Sequence, residues 1–462
     1  MEPLLRGSEM RHFARFALSA PVLVFAAFAA DPSYFKDIRP VLQRSCQGCH
    51  QPNVKSSGLD LTTFEGLAAG GRRGPTFRGG TPAESLLLKY LTGEMKPQMP
   101  LGQPPLAPEQ VDLVRAWITA GAKDDTPEEA REKISLDKPI TYRQPPVITA
   151  LAFSPDGSSL AVSAYREVLL IPVNGSSPAK RLVGMSERIL SLAFSGDGSM
   201  LVAAGGTPAR FGEVQFWDPR SGKMLHSTSL TGDTVFGASI APDGSTVAVG
   251  CADNTVRLLD ARTGKELHKI ANHENWVLGT AFGKDGKRIV SVGRDRAAKL
   301  TDATSGAFLE NINLLRGDLT AVARHPEKDV VVIGGEERIP YIYAMDRPKN
   351  MKIADDTTLL HQLEPQQGPI FALAWSPDGK EVAVAGASPE VTVYESESGQ
   401  RVTKCSGHTA GIYTVAWSPD SKTLATGGFD GQVRLYNGRT GQMVREFIPV
   451  PLETSSAGRA QR

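Results

Sequence analysis

Two cysteines three positions apart and a histidine directly after the second, Cys46, Cys49 and His50, are the residues whose types and spacing point most sharply to one chemistry. In the order Cys46-Gln47-Gly48-Cys49-His50, two thiols on a tight helical turn reach the same edge of a porphyrin and bond its vinyl carbons. The imidazole that follows then points beneath the ring as an iron ligand. The pattern predicts one covalent haem c, attached through Cys46 and Cys49, with His50 as proximal ligand. A redox C-x-x-C pair expects a thioredoxin-like context, and half of a zinc site expects a second Cys/His pair at suitable spacing; neither is present. For the sixth iron position the sequence offers Met95 and Met99 in the Pro-rich run Met95-Lys96-Pro97-Gln98-Met99-Pro100. A thioether there raises the reduction potential. Met99 is preferred, because Pro100 holds the backbone extended and helps aim the sulfur, whereas Met95 follows Gly93-Glu94 at a helix end and reads as packing.

Short helices must position these groups. Tyr34, Ile38, Val41 and Leu42 recur at helical spacing ahead of the cysteines, with Pro40 restarting or kinking the helix. A short helix is expected over 83–91, and a closing helix over 108–120 with Val111, Val114, Trp117 and Ile118 on one face and Gly121 as its stop. Trp117 is expected in the core, against the haem-bearing helix. Between them, Arg72, Arg73 and Arg78 lie on a Gly-rich loop, either pairing with haem propionates or forming a solvated basic loop. The expectation is a small all-α c-type cytochrome domain over 31–122. The run Phe35-Lys36-Asp37-Ile38-Arg39-Pro40-Val41-Leu42, the Cys46 to His50 motif, Gly70-Gly71, Ser85-Leu86-Leu87-Leu88, Met99-Pro100 and Ala116-Trp117-Ile118-Thr119-Ala120-Gly121-Ala122 resemble the planctomycete-type cytochrome c domain. That resemblance implies a monohaem electron-transfer module in an exported protein, with the distal ligand at the Met-Pro position.

Composition agrees with an exported, two-part chain. At 462 residues the chain exceeds one ordinary core, and 51 basic against 50 acidic side chains give a net charge of +1, with no bulk signal for nucleic acid or an anionic membrane. Residues 1–29 read as a signal peptide: Arg6, Arg11 and Arg15, an apolar stretch from Phe16 to Phe28, and Ala27-Phe28-Ala29 at the cleavage site. An uncleaved anchor is the other reading, although the stretch is shorter than the roughly 20 residues that span a bilayer. No later run is long enough to span, so the mature chain is expected in the periplasm or cell envelope without a transmembrane segment. Cys251 and Cys405 are expected to be buried inert thiols, or else a disulfide.

After a charged connector, 123–136, the chain repeats itself. The anchors are Phe153-Ser-Pro-Asp-Gly157, Phe194-Ser-Gly-Asp-Gly198, Ile240-Ala-Pro-Asp-Gly244, Phe282-Gly-Lys-Asp-Gly286, Arg324-His-Pro-Glu-Lys328, Trp375-Ser-Pro-Asp-Gly379 and Trp417-Ser-Pro-Asp-Ser421. Intervals of about 41 to 51 residues match a four-stranded blade, so residues 137–450 are expected to form an all-β seven-bladed propeller with a disordered tail over 451–462. Trp217-Asp218, Gly407-His408 and the turn aspartates Asp253, Asp295 and Asp430 resemble the WD-repeat family. The fifth unit departs from it, with no aromatic anchor and an insertion around Arg347 to Gln367. Closure of the ring is open between Met443 to Ile448 and Pro139 to Arg143 as the outer strand of the seventh blade.

The expected function is an electron-transfer cytochrome carrying a scaffold for protein partners, with an unidentified redox partner protein and a further protein partner on the propeller. The alternative is a peroxidase-like haem enzyme with a displaceable distal ligand, against which Met99 argues. Propeller catalysis has no support: there is no G-x-S-x-G elbow, and His273-Glu274-Asn275-Trp276-Val277 fails H-E-x-x-H at its last position. His325 reads as structural.

Overall fold

Alternating small and large apolar residues, cut by Asp-Gly turns, fold into strands β1–β28, which form seven antiparallel sheets of four consecutive strands each. The computed structural model describes residues 31–51, 56–101, 104–127, 140–314, 316–347 and 356–453. The expected signal segment, most of the charged connector and the tail from 454 lie outside the described residues. The sheets span 151–183, 188–231, 235–270, 277–311, 319–362, 370–405 and 412–447, and are the blades of a seven-bladed propeller. Interior strands such as β10 (Thr246–Cys251) are buried on both faces, because each blade packs on the next. Val214 and Phe216 of blade 2, for example, share a core with Val247, Val249 and Leu259 of blade 3.

A bulge shifts the register of the inner strand in blades 2, 4, 5, 6 and 7, and the neighbouring strand places a glycine opposite each one: Gly205, Gly293, Gly335, Gly386 and Gly428. A Cβ at these positions would stand 1.9 to 2.4 Å from a backbone carbonyl oxygen of that inner strand or the residue before it. Close approach of two backbones, rather than a turn, requires this glycine. The Asp-Gly turns follow a second rule. In Ser154-Pro-Asp156-Gly157, Ser154 Oγ donates to Asp156 Oδ1 at 2.6 Å, which also accepts the Ser158 N–H at 3.0 Å, and Gly157 has φ +71°.

In blade 5, His325 replaces the serine of that turn. Its Nδ1 accepts the Glu327 and Lys328 N–H groups at 3.0 Å each, and its ring meets Trp375 edge-on, confirming a structural role. The insertion expected in this unit is smaller than its sequence suggests, because Leu359–Gln362 is the fourth strand of the blade. The ring closes without exchanging a strand. Met443–Phe447 is the outer strand of blade 7, and blade 1 packs directly on that blade, with Ile148 N–H donating to Gly428 O at 3.0 Å and Leu151 N–H to Thr414 Oγ1 at 3.0 Å. Tyr142 instead forms a single parallel bridge with Leu452.

Residues 31–127 hold short helices: a π-helical turn at Tyr34–Ile38, then α1 (Arg39–Ser45), α2 (Phe64–Ala69), α3 (Leu86–Thr92) and α4 (Pro108–Thr119). Pro40 sits in the first turn of α1, where a missing N–H costs nothing, so it restarts the helix as expected. One apolar cluster joins Ile38, Leu42, Leu67, Leu88, Val114 and Ile118, with Trp117 at its centre against Tyr34 and Phe77 (ring centroids 5.7 and 5.0 Å). No helix among the described residues is long and apolar enough to cross a membrane. Cys251 and Cys405 are buried free thiols, each pushed up to about 12 by burial.

Candidate haem site

Helix α1 buries Leu42 in this cluster and ends at Cys46, whose φ of −128° takes the chain out of the helix. A tight turn follows, in which the Cys49 and His50 N–H groups both donate to Cys46 O, at 3.3 and 3.1 Å. Gln47 fixes the turn from inside by donating from Nε2 to Leu61 O at 2.7 Å, while Leu61 N–H returns to His50 O at 2.8 Å. Cys46 packs on the apolar cluster, Cys49 is exposed, and both are free thiols. Burial pushes Cys46 up to about 12, and desolvation of the sulfur raises Cys49 as well although the residue is exposed, the opposite of the lowered thiol of a redox pair. Burial also lowers the pKa of His50, and among the described residues its buried Nδ1 has no hydrogen-bond partner.

Met99 reaches the same cluster from the other side of the sequence. Gly93, in the left-handed region at φ +78°, ends α3 and turns the chain back. Met95 N–H then donates to Lys89 O at 2.9 Å, and Met99 N–H to Tyr90 O at 3.0 Å. The Met99 side chain packs on the cluster that Cys46 and Leu59 also touch, and Met95 is not part of it. Of the three arginines, Arg73 lies over the Tyr90 ring at 5.4 Å and Arg78 faces Glu84 at 3.8 Å on an exposed surface. The donor set fits a covalent haem: two unpaired thiols, an imidazole with an orphaned nitrogen, and a thioether on one shared apolar core.

The turn also has a neighbour that sequence reading missed. Helix α1 lies against β8 (Lys223–Thr231), the outer strand of blade 2. At Gly48 the contact is so close that a Cβ would be 2.9 Å from Ser227 O. Beside it, Gln51 Nε2 donates to Gly48 O at 3.3 Å and reaches Glu213 Oε1 at 3.4 Å. Glu213, on β7 (Phe211–Asp218), is only 3% exposed. Its carboxylate accepts from Ser186 Oγ at 2.7 Å, from Gln215 Nε2 at 2.8 Å and from Ser227 Oγ. The signal was present in Gly212-Glu213-Val214-Gln215-Phe216-Trp217: Glu213 and Gln215 alternate with apolar residues on the face of Trp217, so two polar groups share the inside of a buried strand. The charged connector is therefore not the only link between the helical module and the propeller.

The turn aspartates serve the propeller. His273 Nδ1 faces Asp295 at 2.9 Å and its Nε2 faces Ser291 Oγ at 2.8 Å; His408, Asp430 and Thr426 repeat the arrangement in blade 7 at 3.0 and 2.7 Å. His273 thus braces a blade, which its place in the failed H-E-x-x-H match had hidden.

The fold is a seven-bladed β-propeller with a helical module at its N-terminal side, and that module carries the Cys46–His50 motif. Two parts of the chain are similar to known families: residues 46–101 match the family described as Planctomycete cytochrome C, and residues 264–302 and 399–437 match the WD domain, G-beta repeat. Residues 231–278 and 325–415 also match the Anaphase-promoting complex subunit 4 WD40 domain. An uncharacterized WD repeat-containing protein of Schizosaccharomyces pombe is 34% identical over 94 residues, which is 20% of this chain and 15% of that protein.

Proposed function

We propose that this protein is an exported monohaem c-type cytochrome that transfers electrons, with its propeller serving as a scaffold for protein partners. The observation that carries the reading is the convergence of Cys46 and Met99 on one apolar core, with His50 on the same turn as Cys46. In this reading residues 31–122 are the haem module, Cys46 and Cys49 hold the porphyrin, and His50 and Met99 ligate the iron. A haem bound there would supply a one-electron centre, attached through the two cysteines and oriented by this chain's own residues. The signal at residues 1–29 supports a periplasmic or envelope location, and the WD repeats support a protein partner. The test is a set of optical spectra of protein purified from a host that makes c-type cytochromes, oxidised, reduced, and reduced with carbon monoxide. The expected result is one haem that survives denaturing electrophoresis, with a sulfur-to-iron band in the oxidised form and slow binding of carbon monoxide. Haem lost on denaturation would overturn the assignment, and immediate carbon monoxide binding would replace the carrier by a haem enzyme. Mass spectrometry should find the mature chain beginning near Ala30.

A further inference from the structure

The surface between the haem-motif turn and blade 2 is built, not incidental. On the module side, Gln47 and Gln51 are 6% and 1% exposed, and Gly48 permits backbone contact with Ser227. On the propeller side, a line of hydrogen bonds starts at the WD tryptophan: Trp217 Nε1 donates to Gln215 Oε1 at 3.2 Å, and Gln215 Nε2 donates to Glu213 Oε2 at 2.8 Å. Ser186 and Ser227 donate to the same carboxylate, and Gln51 closes the line from the residue next to His50. Every one of these partners of Glu213 is a neutral donor. Among the described residues no cation pairs with this carboxylate, so its lone pairs are satisfied by these neutral donors alone. Both neighbours of Gln51 Nε2, Gly48 O and Glu213 Oε1, are acceptors, so the amide orientation is fixed.

We propose that Glu213 is a positioning residue of the haem site: acting through Gln51, the propeller holds the Cys46–His50 turn from behind and sets a buried carboxylate beside it. This rests on the reading of Cys46, Cys49 and His50 as the haem site. Two consequences follow. The orientation of His50 depends on blade 2, and the reduction potential is lower than the module alone would set, because a nearby anion favours the ferric state. A protein that docks on blade 2 thereby gains access to the potential of the haem.

The test uses the full chain with haem attached, comparing the unmodified protein with Glu213→Gln, Gln51→Leu, the double variant, and Glu397→Gln as a control on an exposed carboxylate. Haem-stained denaturing gels report attachment, spectroelectrochemistry the potential, and amide exchange the turn. All variants should keep one covalent haem. Glu213→Gln, which preserves shape and removes charge, should raise the potential. Gln51→Leu should shift the potential and speed exchange at the Cys49 and His50 N–H groups, and the double variant should depart from the sum of the singles, as coupled residues do. Glu397→Gln should change nothing. Equal potentials and equal exchange in all five proteins would overturn the proposal while leaving the haem reading intact. Absence of covalent haem in the unmodified protein would sink the haem reading, and the positioning role with it.

Discussion

Replacing Met99 by alanine separates an electron carrier from a haem enzyme. The side chain is partly buried on the cluster formed by α1, α3 and α4. Removal of a fully buried Met costs about 2–5 kcal/mol, so a half-covered one should cost about 1–2 kcal/mol. For a module of this size that lowers Tm by roughly 4–8 °C per kcal/mol, a loss that leaves it folded at 25 °C. The spectroscopic change should be much larger than the structural one. Met99→Ala should abolish the sulfur-to-iron band, lower the potential and open the reduced haem to carbon monoxide, whereas Met95→Ala should leave all three unchanged because Met95 lies outside the cluster. Thermal scans and carbon monoxide difference spectra on both variants are the assay. If Met95→Ala reproduced the loss, or if Met99→Ala kept the band, the assignment of the distal ligand would be refuted.

A Cys46→Ser/Cys49→Ser variant should carry no haem through denaturing electrophoresis, and retention of the stain would exclude thioether attachment at this motif. Gly386→Ala should cost about 1–3 kcal/mol in urea unfolding, because its Cβ would stand 2.0 Å from Pro369 O and 2.9 Å from Ile370 Cα, both of them backbone atoms. Gly196→Ala, whose nearest neighbour is 3.9 Å away, should stay within about 0.5 kcal/mol of the unmodified protein. Acid should weaken the propeller in two stages. Burial lowers the pKa of His408, so from about pH 6.5 downward the unfolded chain binds protons that the folded imidazole refuses, and stability falls. Asp430 is also held below its usual range: burial opposes this, but the Arg434 hydrogen bond and nearby His408 prevail, so its contribution is present above about pH 3.9 and fades as pH falls through the folded value. A urea midpoint that is the same at pH 7 and pH 5 would contradict the first stage.

Periodicity and turn chemistry made most of the fold legible. The seven anchor turns, the restart at Pro40 and the closing helix ending at Thr119 all lie where local residue types place them. The limits of blade 5 were hidden because His325 does the work of a serine, and because strand Leu359–Gln362 follows a long connection. The bulge glycines were hidden because their requirement comes from the adjacent strand, not from their own dihedral angles. The site divided in the same way. Cys46, Cys49, His50 and Met99 are local in motif and could be named, whereas Glu213 reaches Gln51 across 162 positions of sequence, a pairing that no period or spacing encodes.

The manner of ring closure sets where the propeller should come apart. Six of the seven junctions between blades are bound by continuous chain, but the seventh rests on packing of blade 1 against blade 7 and on the Tyr142–Leu452 clasp, with Glu453 N–H on Tyr142 O at 2.8 Å and Tyr142 Oη on the Glu167 carboxylate at 2.5 Å. That seam is the natural zip of the molecule. Under force or denaturant it should part first, exposing Ile148 and Val450 while the opposite blades remain stacked, so resistance to unfolding is decided by a handful of residues at the two ends of the ring, far from the centre of any blade.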